Sequence, residues 1–240
     1  MRLEIAALPS LPEVRPGDDI AALIRNTGAE IDKTVVLAVA QKIVSKAEGA
    51  LVDLRQMQPS ALAQSWAGEW KKDPRLIELI LAQSRRIVKM DRGVIISETQ
   101  HGLVCANAGV DQSNVEGDDF ATVLPNDPDA SAQRIWKSLG CGAVLITDTF
   151  GRPWREGLVD VAIGVAGLDP LDDHRGRSDR HGRRLASTIL AVADQLAAAA
   201  GLLMSKDGGF PVIAIRGFEW QPAVGSAGSL LRKPEQDLFR

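Results

Sequence analysis

Apolar residues fall along this chain in short bursts whose spacing changes from one segment to the next. The opening LEIAAL alternates in the manner of a half-buried strand, and the three prolines of LPSLPEVRPGDDI then enforce an extended loop. Asp18 and Asp19 lead out of that loop into IAALIRNTG, whose apolar spacing is helical. VVLAVAQKIV (35–44) is a dense, β-branched run of the kind covered on both faces of a sheet, and it ends in polar SKAEG. A strand whose end carries Lys and Ser is expected there. Helical spacing returns in ALAQSWAGEW and again in RLIELILAQSRRIVKM, for which Asp73-Pro74 is a start signal. GVIISETQ and LVCANAGV read as a strand pair that turns at His101-Gly102.

After ATVLP, the segment DPDASAQRIWKSLG predicts a helix with Asp127 as its cap and Pro128 in its first turn. AVLITDT is an apolar strand ending in acid, and DVAIGVAGL is another strand. DPLDDHRGRSDRHGRR is a charged loop, LASTILAVADQLAAAAGLLM (185–204) a long Ala-rich helix, and PVIAIRGF the last strand. The Ala-rich helix is small nearly all round, so it is expected to lie close against a sheet or a partner subunit. Strands pair locally in some stretches and alternate with helices in others. The expected class is therefore a mixed α+β fold, with mixed sheets flanked by helices, in a single domain over 1–240 built from two interlocked subdomains.

With 240 residues and 45% hydrophobic content the chain can bury a full core. Its 28 basic and 31 acidic residues give a net charge of −3 without long blocks of either sign, which argues against nucleic acid as a partner. The N-terminus has an early Glu4 and only a short apolar run, unlike a secretory signal, and no uncharged apolar stretch approaches the roughly 20 residues of a membrane span. The expected compartment is the cytoplasm, with no membrane partner. Cys105 and Cys141 stand apart from any CxxC or His cluster and read as small buried residues.

Two acidic segments carry the chemistry. In NAGVDQSN, Asp111 follows small residues that let a ligand approach the backbone, with Asn107, Ser113 and Asn114 around it. That setting suits a hard cation such as Mg²⁺ or Mn²⁺, and equally an Asx-type turn in which Asp111 caps its own loop. In TDTFGRPWREG an apolar strand runs into Asp148 and Thr149, which can hold a metal and its water, while Arg152 and Arg155 can grip phosphate or carboxylate in forked hydrogen bonds. The alternative is a strand-to-turn corner with surface arginines. Lys42 and Lys46 could meet a triphosphate as point charges, with Ser45 assisting, or be solvated lysines. DDHRGRSDRHGRR has five arginines, two histidines and three acids, suited to a polyanionic substrate or to ion pairs between subunits, or simply to a solvated face. GxxxxGK[ST], GxGxxG and GxSxG are all absent.

Read in order, these pieces resemble the coenzyme F420:L-glutamate ligase family almost end to end. The likeness is carried by LPEVRPGDD (11–19), SKAEG (45–49), ETQHGLVCANAGVDQSN (98–114), LPNDPDASAQRI (124–135), TDTFGRPWREGLVDVAIGVAGL (147–168), DDHRGRSDRHGRRL (172–185) and the ending RKPEQDLFR. The resemblance implies an α+β homodimer that uses GTP and Mg²⁺ or Mn²⁺, with K⁺ as a further candidate cation. The implied reaction is an amide between L-glutamate and the phospholactyl tail of F420-0, with a second, γ-linked glutamate as an extension. It places the nucleotide on Leu11, Pro12, Glu13, Val14, Gln41, Lys42, Lys46 and Asn114, and the metal on Asp111, Asp148 and Thr149.

Two departures from the family pattern stand out. Gln41-Lys42 replaces a Ser-Thr pair, and Lys206 and Asp207 stand in the segment where a Glu or Gln would complete a second metal. A protonated Lys cannot ligate, so that segment implies either no second ion or one held by Asp207. The mechanism the resemblance implies is phosphoryl transfer from GTP to the acceptor carboxylate, then attack of the glutamate amine on the acyl phosphate. His101 is the one candidate general base. Rival readings are the same ligation on a different acid or amino acid, a nucleotide-binding protein without turnover, and a metal-dependent nucleotide hydrolase.

Overall fold

The computed structural model describes residues 2–113, 117–204 and 209–238. Strand β1 (Glu4–Ala7) leads into the proline loop, and Asp19 caps helix α1 (Ile20–Asn26) by accepting from the amides of Ala21 and Ala22. Strand β2 (Val36–Ala40) then turns directly into helix α2 (Gln41–Ala47). The strand expected over 35–44 is thus two elements. Past Ala40 the apolar residues Ile43, Val44 and Ala47 fall at helical spacing and join the same core as Leu37 and Val39.

Strand β3 (Leu51–Asp53), helix α3 (Ala61–Trp70) and helix α4 (Pro74–Gln83) follow, with Ser60 and Asp73 as the helix caps. The helix expected over 75–90 stops at Gln83, and Ser84–Asp91 is strand β4, paired antiparallel with β5 (Val94–Thr99). The hairpin turn decides this: Arg92 and Gly93 both take positive φ (49° and 73°), the geometry of a tight two-residue connection. Strand β6 (Val104–Ala106) pairs with β5 after the His101-Gly102 turn, as expected, and β7 (Phe120–Thr122) pairs with β3. Asp127 caps helix α5 (Pro128–Leu139) through the Ala130 amide at 2.9 Å.

Strands β8 (Ala143–Arg152) and β9 (Arg155–Ala166) form a long hairpin turning at Pro153-Trp154. Strand β10 (Leu171–Asp173) pairs with β11 (Ile189–Ala191), so the expected Ala-rich helix is shorter: α6 runs over Val192–Gly201. Strand β12 (Val212–Arg216) closes the succession.

Five strands make the central mixed sheet, in the order β1-β12-β2-β8-β9, with β2 and β8 parallel and the other pairs antiparallel. Alternate residues of β2 serve opposite cores: Leu37 and Val39 pack under α1, α2 and α5, while Val36 and Ala38 pack under α6. Each fully buried Leu, Ile or Val contributes about 1.5–3 kcal/mol. Ala193, Ala197 and Ala200 let α6 lie close on the sheet. Residues 51–122 add a three-stranded sheet β4-β5-β6 against α3 and α4, with Ala63, Ile77, Ile80 and Ile95 as its core. The fold is mixed α+β, as the pattern predicts. No helix among the described residues is long and apolar enough to cross a membrane.

Candidate active site

The site follows from unequal strand lengths. β2 ends at Ala40, opposite Thr147 of β8, whereas β8 and β9 run on together to Arg152 and Arg155. Among the described residues no strand pairs with β8 on that side beyond Thr147, and a cavity of about 680 Å³ lies there. It is lined by the proline loop (Leu11, Pro12, Glu13, Val14), the first turns of α2 (Gln41, Lys42, Lys46), residues 105–111, the strand residues Asp148, Thr149 and Asp160, and Phe210. A ligand site at the carboxyl ends of parallel strands is the usual place for one in an open sheet.

Asp111 is fixed by its backbone. It forms an isolated bridge with Thr122, with amide-to-carbonyl distances of 3.0 and 2.8 Å, and the Thr122 hydroxyl also donates to its carbonyl. The approach to it is tight: Asn107, Ala108 and Gly109 all have positive φ, and a Cβ on Gly109 would come within 2.7 Å of Leu124. Left-handed Asn and Ala cost of order 1 kcal/mol each, and such strain concentrates at functional sites. The Asp111 carboxylate has a donor at each oxygen. Oδ1 accepts from the Ser113 amide at 2.7 Å, and Oδ2 meets the Ser113 hydroxyl and Lys42 Nζ, each at 2.7 Å. The Asx turn is therefore present, and it lies on the wall of the cavity. Burial is the largest influence on this carboxyl and would raise its pKa, but Lys42 and Ser113 outweigh it and hold it below the usual value.

Asp148 is the opposite case. Some of its surface reaches solvent, yet protein surrounds its carboxyl closely, and its pKa is pushed up to about 6. Burial is the main cause; the charges of Asp111 and Asp160 add to it, against the Thr149 amide and Lys42. Next along β8, and lining the same cavity, the Thr149 hydroxyl donates to Asp160 Oδ1 at 3.2 Å. Sequence reasoning passed over Asp160. An acid inside the otherwise apolar LVDVAIG strand is the signal that points to it. Cys105 also lines the cavity, but burial and the nearby Asp148 charge push its thiol up to about 12, and it stays a protonated, unreactive group. Cys141 is pushed up to about 12 by burial alone.

On the opposite wall Lys46 Nζ lies 2.5 Å from Glu13 Oε1, and buried Gln41 accepts from the Ser45 hydroxyl at 2.8 Å. Lys42 and Lys46 thus sit on a helix rather than at the end of a strand. The donors facing the cavity are carboxylate, hydroxyl and amide oxygens, a set that fits Mg²⁺ or Mn²⁺. Among the described residues no three acid, His or Cys side chains converge on one ion. Such an ion would complete its shell with water and substrate phosphates, the habit of Mg²⁺.

Other expected residues lie elsewhere. Arg152 and Arg155 face each other at the hairpin tip, outside the cavity lining, and Arg152 donates to the carbonyls of Glu156 and Gly157. His101 Nε2 donates to the carbonyls of Pro125 (2.8 Å) and Asn126, also away from the cavity. The arginine-rich segment folds on itself: Asp172 pairs with His174 and Arg177, Asp173 with Arg175, and Ser178 bridges Arg184. Asn114, Lys206 and Asp207 lie outside the described residues.

Residues 9–217 match the family model described as F420-0:Gamma-glutamyl ligase. A protein of Methanothermobacter thermautotrophicus named coenzyme F420:L-glutamate ligase is 47% identical, with all of both chains covered. Proteins of the same name from Methanopyrus kandleri and Methanocaldococcus jannaschii are 45% and 38% identical, covering 99% and 100% of this chain and 98% and 97% of theirs.

Proposed function

Because the chain belongs to the F420-0:gamma-glutamyl ligase family, we propose that it joins L-glutamate to the carboxylate of F420-0 at the expense of GTP, as a homodimer in the cytoplasm. The observation that carries this reading is one cavity holding the half-buried Asp148 and the Lys42–Asp111 pair beside Lys46 and the apolar wall of Leu11, Pro12 and Val14. Anionic substrates and a hard cation need that mixture of charges.

A carboxylate does not form an amide until its oxygen is converted into a leaving group. In the proposed reaction an oxygen of the F420-0 carboxylate attacks the γ-phosphorus of GTP, the bond to GDP breaks, and an acyl phosphate forms. The glutamate amine then attacks the acyl carbon, and phosphate and a proton leave. Phosphoryl transfer depends chiefly on positioning and on offsetting spread negative charge. Mg²⁺ or Mn²⁺, when bound, would draw charge from the phosphate oxygens. Asp148, with Thr149 and Asp160 beside it, is the group to hold that ion. Lys46 meets a phosphate once Glu13 moves aside, and Lys42 adds a second positive charge. Arg152 and Arg155, at the hairpin tip outside the cavity lining, would meet the acidic tail of the acceptor only as it enters.

Mass spectrometry of the products from F420-0, L-glutamate, GTP and Mg²⁺ or Mn²⁺ tests this. One glutamyl increment is the expected result. Phosphate release from GTP that is indifferent to glutamate, with no mass increment, would overturn it in favour of a hydrolase.

A further inference from the structure

Lys42 and Asp148 differ in a way that bears on how many ions the cavity takes. Lys42 extends from the first turn of α2 until its ammonium sits 2.7 Å from Asp111 Oδ2 and 2.5 Å from the Ser113 hydroxyl. Its side chain is 19% exposed and that of Asp111 35%, so the pair is shielded from bulk water and holds more firmly than a surface ion pair. The remaining oxygen of Asp111 accepts from the Ser113 amide. Asp111 thus has a donor on both oxygens, one of them a full positive charge. Among the described residues no ion pair reaches Asp148, which faces the charges of Asp111 and Asp160 and feels Lys42 more weakly.

We propose that the Lys42 ammonium is a resident cation on Asp111, so that Asp111 holds no divalent ion and, among the described residues, the cavity takes a single one, at Asp148. The inference rests on the metal-dependent reading above and deepens it. A divalent ion placed on Asp111 would have to expel Lys42 or share an oxygen with it, and the two cations would repel at contact distance. Held by Asp111 and Ser113, the ammonium has already exchanged part of its water for protein oxygens, and it donates to phosphate oxygens as a metal cannot. The first substrate phosphate to enter would therefore find one fixed monovalent charge and one exchangeable divalent charge. Neutral side chains at position 42 would reverse the situation, freeing Asp111 as an oxygen ligand for a second ion.

The test counts Mn²⁺ per chain by electron paramagnetic resonance and calorimetry, on the full chain with guanosine imidotriphosphate present. The wild type is expected to bind one ion, lost in Asp148→Asn. Lys42→Met should bind two, with the second lost in the double variant Lys42→Met, Asp111→Asn. Lys42→Arg keeps the charge and should bind one, which keeps the test decisive if the methionine variant folds poorly. Two ions in the wild type, or one ion in a folded Lys42→Met protein, would overturn the proposal. Wild-type protein that adds glutamate to F420-0 while holding two ions would refute the resident cation alone. Wild-type protein that binds no Mn²⁺ refutes the metal reading and the resident cation together.

Discussion

The carboxylate of Asp160 occupies space that Gly201 leaves by having no side chain: a Cβ on Gly201 would lie 2.8 Å from Asp160 Cγ and nearer still to Oδ2. The last residue of α6 therefore sets where a cavity carboxylate on β9 can sit, and through it the Thr149 hydroxyl. Gly201→Ala should force Asp160 to turn away. Alanine is the better helix former by about 1 kcal/mol, so stability should change little. A misplacement of this size is enough to cost 10-fold or more in function. The expected outcome is a thermal midpoint within a few degrees of wild type and a Mn²⁺ activation curve displaced to roughly 10-fold higher concentration.

Asp148 should cost stability when no ion is bound. Its carboxyl titrates at about 6 in the folded protein against 3.8 when free, so folding favours the protonated form. The sign follows: this carboxyl costs nothing below pH 4, destabilises metal-free protein increasingly as pH rises towards 6, and carries its whole cost above that. The full shift corresponds to about 3 kcal/mol, and partial solvent access reduces it to roughly 1–3. Asp148→Asn should raise urea resistance in EDTA at pH 7.5 by that amount and flatten the profile between pH 4 and 6. The same variant should fail to turn over, and added Mn²⁺ should stabilise only the wild type.

Glu13 competes with phosphate for Lys46. The pair is close, but the Glu13 side chain is 72% exposed, which limits its worth to about 0.2–1 kcal/mol. A triphosphate that binds Lys46 has to displace it. Glu13→Gln is expected to tighten GTP binding up to about 5-fold at low salt, with the difference vanishing near 0.5 M salt as the charges are screened. Titration with a fluorescent GTP analogue at both salt concentrations checks this, and weaker binding by the variant would contradict it.

A structural prediction falls on Asp129, in the first turn of α5. Its Oδ1 accepts from the amides of Val165 (2.8 Å) and Ala227 (2.9 Å), and its Oδ2 from the Ser226 hydroxyl (2.6 Å). One carboxylate thus ties α5, β9 and the C-terminal segment together. Asp129→Ala leaves two part-buried amides without their acceptor, at about 1–3 kcal/mol for such groups. Urea unfolding should show a loss of roughly 2–4 kcal/mol, with GTP affinity unchanged because the residue is outside the cavity.

Most elements were legible in the sequence, and the misplaced boundaries share a cause. At Gln41, Ser84 and Val192 apolar residues recur on both sides of the point where the backbone changes type. Residue pattern reports at least partial burial, and the residues of β4 and β11 are at most half-buried. The change of type is set by pairing partners, far along the chain for β2 (β8) and across a two-residue turn for β4 (β5). At the site, the segments around Asp111 and Asp148 stood out because acids and small residues there interrupt apolar strands. Asp160 did not stand out, because its importance lies in register: it faces Thr149 only once the hairpin is paired. Arg152 and Arg155 had the composition of an anion grip, but two-residue hairpin geometry carries them to the tip.

β2 stops one step before β8 does anything chemical. Had the chain stayed extended for two or three more residues, backbone hydrogen bonds would have sealed the edge of β8 and filled the cavity with ordinary sheet. Instead the bend at Ala40 leaves a notch one strand wide, and the residues after it return as a helix along the rim. Such a notch is sensitive to length rather than to residue type. Substitutions along β2 that keep its size are expected to be tolerated, whereas inserting or deleting a pair of residues before Gln41 would open or close the site outright, without touching any residue that binds a ligand.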